Sequence, residues 1–271
     1  MVESMQQIRK TTSHKLWDQY QADANYRGKL VLYLLKKKIH LQNSRIIDAG
    51  CGSGKIAALL TSQGARVDAY DPFIRPELLK KIDSGICFHP VGVDAAHIKA
   101  GVYDAALLVD VIEHIQNPAK AMSMICRSLK TGGWLYLSTP NRLAFLNILC
   151  DPHYSLPFVA LLKRKSLKTL LSSWLQVTEP DKQDHAELFS LDQLDRLLKQ
   201  NSLQWKFVNQ AALTFAQQQP HSIWNRNWHL KIIQILNTIG LYSKLLNLVD
   251  DSNGAFNRFI NPTWFIMAQK T

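Results

Sequence analysis

Apolar and polar positions along this chain follow two periods, and their succession predicts its elements. The first 40 residues carry a helical pattern, and Tyr26 to His40 is mostly apolar with a basic end at Lys36 to Lys38. Arg45 to Ala49 is a short apolar run bounded by turn residues and predicts a buried strand. Lys55 to Gln63 predicts a helix stopped at Gly64, and Arg66 to Asp71 a second strand. Pro76 to Ile82 follows as a helix and Ile86 to Val93 as a third strand. Tyr103 to Asp110 has the continuous apolar centre of a parallel strand covered on both faces. Pro118 suits the first turn of a helix over Ala119 to Lys130, which Gly132-Gly133 stops. Trp134 to Thr139 is the fifth strand. Asn141 to Asp184 then shows no obvious strand. Ser190 is the N-cap of a helix to Gln200, and Leu203 to Val208 is a strand. An aromatic-rich irregular stretch leads to a last strand at Thr263 to Gln269.

Strands alternating with helices at this spacing imply an α/β fold, a doubly wound, mostly parallel sheet of seven strands with helical insertions. The expected organisation is a single domain over residues 1–271. It has an N-terminal helical segment at 1–44 and inserted segments at 141–184 and 212–261. The chain has 271 residues, enough for one large domain with a full core.

The densest chemistry lies in "IIDAGCGSGKIAALLTSQGARVDAYD", Ile46 to Asp71, with glycines at 50, 52 and 54. In a doubly wound sheet this turn follows the first strand and opens a helix. Glycines allow a sharp turn and let a ligand approach the main chain without Cβ clashes. A carboxylate about 20 residues on, at the end of the second strand, can accept both ribose hydroxyls. Asp71 stands there, so the site should hold an adenosine-like nucleoside with an attached anionic group. A dinucleotide would call for G-x-G-x-x-G, which this spacing is not.

With Asp48-Ala-Gly50-Cys-Gly52-Ser-Gly54, Asp71, "VGVDA" around Asp94, "YDAALLVDVIEHIQNP" and "LKTGGWLYLSTPNR", the chain resembles the class I S-adenosylmethionine-dependent methyltransferases. Within that class it is most similar to the ubiquinone-biosynthesis O-methyltransferases, through the E/D-x-x-E-H segment and the "STPNR"-like strand end. The resemblance covers Arg45 to Arg142 and resumes near "HAELFSLDQLDRLL". It implies S-adenosyl-L-methionine as cofactor. Asp48, Gly50, Gly52 and Gly54 would face its methionine part. Asp71 would hold the ribose, and Asp94 would accept from the adenine amino group with Ala95 beside it. Val109 would line the pocket, and Arg27 in "NYRGKL" is the upstream arginine.

The resemblance also associates Asp110, Glu113 and His114 with a magnesium ion. A bound cation would stabilise a phenolate whose parent phenol has a pKa of about 10. The alternative is that Glu113 supports the cofactor loop and His114 packs. For a hydroxyl acceptor a base is needed, and His114, His153 in "CDPHYSLP" and His185 in "DKQDHAELF" are the candidates.

Net charge is +11, which suits either an anionic partner or a merely solvated basic surface. No nucleic-acid-binding pattern is visible, and the basic residues are spread along the chain. Leu156 to Val177 is apolar with Lys163, Arg164, Lys165 and Lys168. His229 to Val249 is apolar with Lys231 and Lys244. Both fit lid helices, and both fit helices lying on an anionic membrane. Trp224 and Trp228, near His221 and His229, suit an aromatic wall or an ordinary core. The four cysteines are scattered without a CxxC pair, no signal-peptide core opens the chain, and no run reaches about 18 apolar residues. A cytoplasmic protein, possible at the membrane periphery, is the expectation. The expected reaction is O-methylation of a small hydrophobic acceptor, first a quinone-precursor phenol. A sugar, lipid or secondary-metabolite hydroxyl, transfer to nitrogen or carbon, and non-catalytic cofactor binding are the alternatives.

Overall fold

The computed structural model describes residues 26–74, 85–170, 185–219, 231, 234–235, 237–249 and 251–271. The helix expected at Pro76 to Ile82 lies outside these residues, as do His221, Trp224, Trp228 and His229.

Helix α1 spans 26–35. There follow β1 (Arg45–Ala49), α2 (Lys55–Thr61), β2 (Arg66–Tyr70), β3 (Ile86–His89), β4 (Tyr103–Val109), α3 (Pro118–Ser128) and β5 (Leu129–Pro140). Beyond β5 lie α4 (Phe145–Leu149), a 3₁₀ turn (Val159–Leu161) and α5 (Arg164–Thr169). The chain then forms α6 (Leu191–Gln200), β6 (Leu203–Phe207), α7 (Asn209–Gln218), α8 (Leu241–Leu248), a π-helical turn (Phe256–Ile260) and β7 (Thr263–Lys270).

The seven strands form one sheet in the order β3-β2-β1-β4-β5-β7-β6. All neighbours are parallel except β7, which runs antiparallel to both β5 and β6. Adjacent residues of β1 serve opposite faces: Ile47 joins the core under α3 and α6, and Ile46 the core under α1, α2 and α7. Burial on both faces is why β1 and β4 are apolar without alternation.

Local chemistry sets most ends. β3 stops at His89 because Pro90 has no N–H for the ladder. The Asn117 side chain accepts from Lys120 N at the start of α3. Ser190 and Gln193 close a reciprocal capping box on α6. Several boundaries differ from expectation: β3 ends at His89 rather than Val93, and α3 at Ser128 rather than Lys130, so that Gly132-Gly133 lie inside β5 instead of stopping the helix. β5 begins at Leu129 rather than Trp134, since Leu129 already pairs with Tyr103 and Gly132, at φ +77°, absorbs the irregularity within the strand. Residues 209–218 are helical where an irregular stretch was expected from about 212. That segment carries no charged residue, and its polar face is made of Gln210, Thr214 and Gln217 at helical spacing.

Buried asparagines tie the segments after β5 and before β7 together. Asn141 Nδ2 donates to the carbonyls of Asn257, Arg258 and Asn261. Asn257 Oδ1 accepts from Asn209 and Asn261. Among the described residues no helix is long and apolar enough to cross a membrane.

Candidate active site at the carboxyl ends of the central strands

A cavity of about 480 Å³ opens where β1, β2 and β4 end. In an open α/β sheet this edge beside the strand-order reversal is the place for a ligand, and the volume suits a cofactor-sized molecule. Its wall includes Gly50, Asp71, Phe73, Asp94, Val111 and His114.

The glycine turn is built on left-handed backbone. Gly50, Gly52 and Gly54 have φ of +76°, +50° and +71°. A Cβ on Gly50 would fall 2.4 Å from Val111 Cγ2. Gly50 is therefore required twice, by its dihedral and by the side chain across from it. Asp71 Oδ2 accepts from Gly52 N at 2.9 Å, and its Oδ1 from Phe73 N at 2.8 Å. The carboxylate thus clamps the turn to the end of β2 and still has lone pairs for a ligand hydroxyl.

Asp48 lies beneath this turn, 1% exposed. Burial, and next the nearby Asp71 carboxylate, push its pKa up to about 7, against a hydrogen bond from the Ala57 main chain. It organises the turn from below and does not line the cavity. Asp94 is in the wall, but Ala95 is exposed beside it and donates its N–H to Gly92 O. Val109 is the last residue of β4, and the wall is made by Asp110 and Val111 instead. Arg27 reaches the site indirectly, through an ion pair of 2.8 Å with Asp110 Oδ2.

The acid, glutamate and histidine after β4 do not act as one set. Asp110 Oδ1 accepts from Ser138 Oγ at 2.7 Å, so both of its oxygens are engaged. Glu113 is fully buried, and burial followed by the Asp110 charge raises its pKa to about 7. Thr139 donates to its Oε2 at 2.9 Å. Its Oε1 lies 4.0 Å from His153 Nε2. The His114 and His153 rings meet edge-on, with centroids 4.9 Å apart. Donor atoms of Glu113, His114 and His153 lie within 4.8 Å of one another. Two imidazoles and one buried carboxylate do not suit magnesium, which requires a near-octahedral oxygen set. The residues present do not fit the expected Mg²⁺.

His153 thus joins His114, brought by the segment after β5. His185 does not; its Nδ1 stands 3.5 Å from the Tyr154 hydroxyl. The sequence marked Arg164 only within a basic stretch and not as a site residue, yet its Nη2 donates to the Glu113 carbonyl at 2.8 Å. Nor did it single out Val111, though its neighbours Asp110 and Glu113 were marked.

The Methyltransferase domain family matches residues 17–205.

The chain belongs to that methyltransferase family.

Its curated relatives include the ubiquinone biosynthesis O-methyltransferase of Burkholderia thailandensis, 28% identical over 141 residues, or 48% of this chain and 60% of the relative. Another is the enzyme of the same name from Xylella fastidiosa, 33% identical over 116 residues, or 40% of this chain and 46% of the relative. The matched region spans about half the length of these relatives. Among solved structures, an S-adenosylmethionine-dependent methyltransferase from Mesorhizobium loti superposes with a TM-score of 0.53 at 14% identity, over 88% of this chain and 96% of that one. The 1,6-didemethyltoxoflavin-N1-methyltransferase of Burkholderia thailandensis gives a TM-score of 0.50 at 15% identity, over 96% and 83%. These likenesses establish the methyltransferase fold, with the sheet order described above.

Proposed function

We propose that this methyltransferase transfers a methyl group from S-adenosylmethionine to an oxygen of a small hydrophobic acceptor, a quinone-precursor phenol first. The observation that carries the reading is the juxtaposition in one cavity of the strained glycine turn, Asp71 and Asp94 with His114. The first three suit a nucleoside bound along the strand ends. His114 supplies the imidazole among the described wall residues.

S-adenosylmethionine supplies an already activated methyl on a sulfonium. The chain has to align an acceptor oxygen with it, exclude water and take a proton. In the proposed step the O–CH₃ bond forms as the C–S bond breaks, S-adenosylhomocysteine leaves, and the hydroxyl proton passes to an imidazole nitrogen of His114. His153 and Glu113, beside His114, stabilise the imidazolium. Glu113, with its pKa near 7, is poised to share that proton. The described part of the segment after β5, which brings His153 to His114, serves as acceptor cover. The relatives' names favour oxygen; the N1-methyltransferase among the structural neighbours keeps nitrogen as the second reading.

A lipid-like acceptor is favoured by one surface. Phe145, Leu146, Leu149, Phe158, Phe259 and Ile260 are each about half exposed or more. They sit on α4, just before the 3₁₀ turn and on the π-helical turn, and α4 touches both turns. Phe158 combines 62% exposure with φ +63°, a strained backbone for a bulky residue. Lys163, Lys165 and Lys168 are exposed on and beside α5, whose Leu167 packs against Val159, next to Phe158. An anionic lipid surface is the occupant this combination suits.

The test is release of S-adenosylhomocysteine with catechol-type phenols, beside calorimetric binding of S-adenosylmethionine. Turnover that His114→Ala lowers by about 10²-fold or more, with binding retained, supports the reading. Binding without turnover on any phenol, sugar, lipid or amine supports non-catalytic cofactor binding instead. No binding by folded protein overturns both.

A further inference from the structure

A second cluster of metal-competent side chains lies outside the cavity wall, on the outer strands of the sheet. Asp68 in β2 pairs in register with Cys87 in β3, and His89 follows two residues later on the same face. Their donor atoms lie within 4.8 Å of one another. His89 Nε2 is 3.1 Å from Asp68 Oδ1. Donors about 2.0–2.3 Å from a shared tetrahedral ion stand roughly 3.3–3.8 Å apart, so little movement separates this arrangement from ligation.

We propose that Asp68, Cys87 and His89 form a structural site for a borderline transition-metal ion, Zn²⁺ by preference. Thiolate, imidazole and carboxylate are together a zinc donor set and a poor one for Mg²⁺ or Ca²⁺. The shell around them is arranged as a ligated carboxylate requires. The other oxygen of Asp68, Oδ2, accepts from the Tyr103 hydroxyl at 3.0 Å and faces Arg45 Nη2 at 3.5 Å. Tyr70 stacks on the His89 ring at 4.4 Å and fixes its plane. Cys87 is exposed, and Asp68 and His89 are partly so, which leaves an entry path and a fourth position for water. Binding releases the thiol proton to solvent, and thiolate plus carboxylate then balance the dication. An Asp–His pair alone would account for the 3.1 Å contact, but not for a thiol on the same face within reach of both.

The site would brace the cofactor pocket. The His89 carbonyl accepts from Asp71 N and Val91 N, at 3.2 and 2.8 Å. A metal on this residue therefore anchors both the strand end that carries Asp71 and the turn that leads to Asp94.

The test uses the metal-free full chain titrated with Co²⁺ and followed by absorption. Expected are one equivalent giving a thiolate-to-cobalt charge-transfer band with tetrahedral ligand-field bands, displacement by Zn²⁺, and loss of the charge-transfer band in Cys87→Ser. His89→Gln should weaken binding at least tenfold, and Glu113→Gln should leave the band unchanged. Zn²⁺ should raise the melting temperature of the wild type but not of Cys87→Ser, whose fold is checked by circular dichroism. No thiolate band in the wild type, or a band that survives Cys87→Ser, overturns the proposal. Both readouts are independent of methyl transfer, so failure of the proposed function leaves this one standing or falling alone.

Discussion

Arg27 Nη2 and Asp110 Oδ2 stand 2.8 Å apart, joining α1 to the strand end that walls the cavity. Asp110 holds a left-handed backbone at φ +53°, and Ser138 fixes its second oxygen. The pair is partly exposed, so its own contribution to stability is about 1 kcal/mol or less. Its larger consequence is the orientation of the wall. Arg27→Ala and Asp110→Asn should each weaken S-adenosylmethionine binding by roughly tenfold. The double variant should be little worse than the weaker single one, because both remove one interaction. Calorimetric titration of the four proteins checks this, and full additivity would sink it.

Gly50→Ala tests the glycine turn. The alanine methyl would collide with Val111 and hold φ +76°, so the variant should lose cofactor binding and about 2–4 kcal/mol of stability. Adding Val111→Ala relieves the collision but not the dihedral, and should restore only part of the melting temperature.

Asp71 has two duties that two substitutions separate. Asp71→Ala removes the acceptor for Gly52 N and Phe73 N as well as the proposed ribose ligand. Asp71→Asn keeps one acceptor oxygen for the turn. Affinity should fall by roughly 10²-fold in Asp71→Ala and less in Asp71→Asn, with a drop in melting temperature confined mainly to the alanine variant.

Asp48 and Glu113 make stability depend on pH in a specific sense. Both are buried, and both have pKa values raised to about 7. Between roughly pH 4 and 7 the folded chain keeps protons that the unfolded chain releases, so these groups lower stability as pH rises through that window. Above about pH 7 their effect is constant. Asp48→Asn should flatten the slope by roughly 2–4 kcal/mol over the window, read from urea unfolding at several pH values. An unchanged slope would show that Asp48 is not held neutral by burial.

The sheet was legible because its signals are local. Ile46 and Ile47 must each be apolar when helices cover both faces of β1, and Ser190 with Gln193 announces the start of α6 in four residues. The glycine turn and Asp71 are local too, since a left-handed turn and a strand-end carboxylate leave marks at fixed spacing. Residues 209–218 were not read as a helix, although Gln210, Thr214 and Gln217 repeat at helical spacing opposite buried Ala212 and Phe215.

The composition of the site beyond the cofactor turn belongs to tertiary structure. Sequence marked Asp110, Glu113 and His114 as one ligand set from their place at the end of the fourth strand and from the family resemblance. Folding gives Asp110 to Arg27 and Ser138, and turns Glu113 toward Thr139 and His153. It also brings Arg164 onto the Glu113 carbonyl and sets Val111 against Gly50. Each of these partners comes from another element or from across a turn. The sequence by itself determined which backbone could form and where a nucleoside could lie. Which side chains share a proton there depends on distances between distant segments, and the packed chain alone decides them.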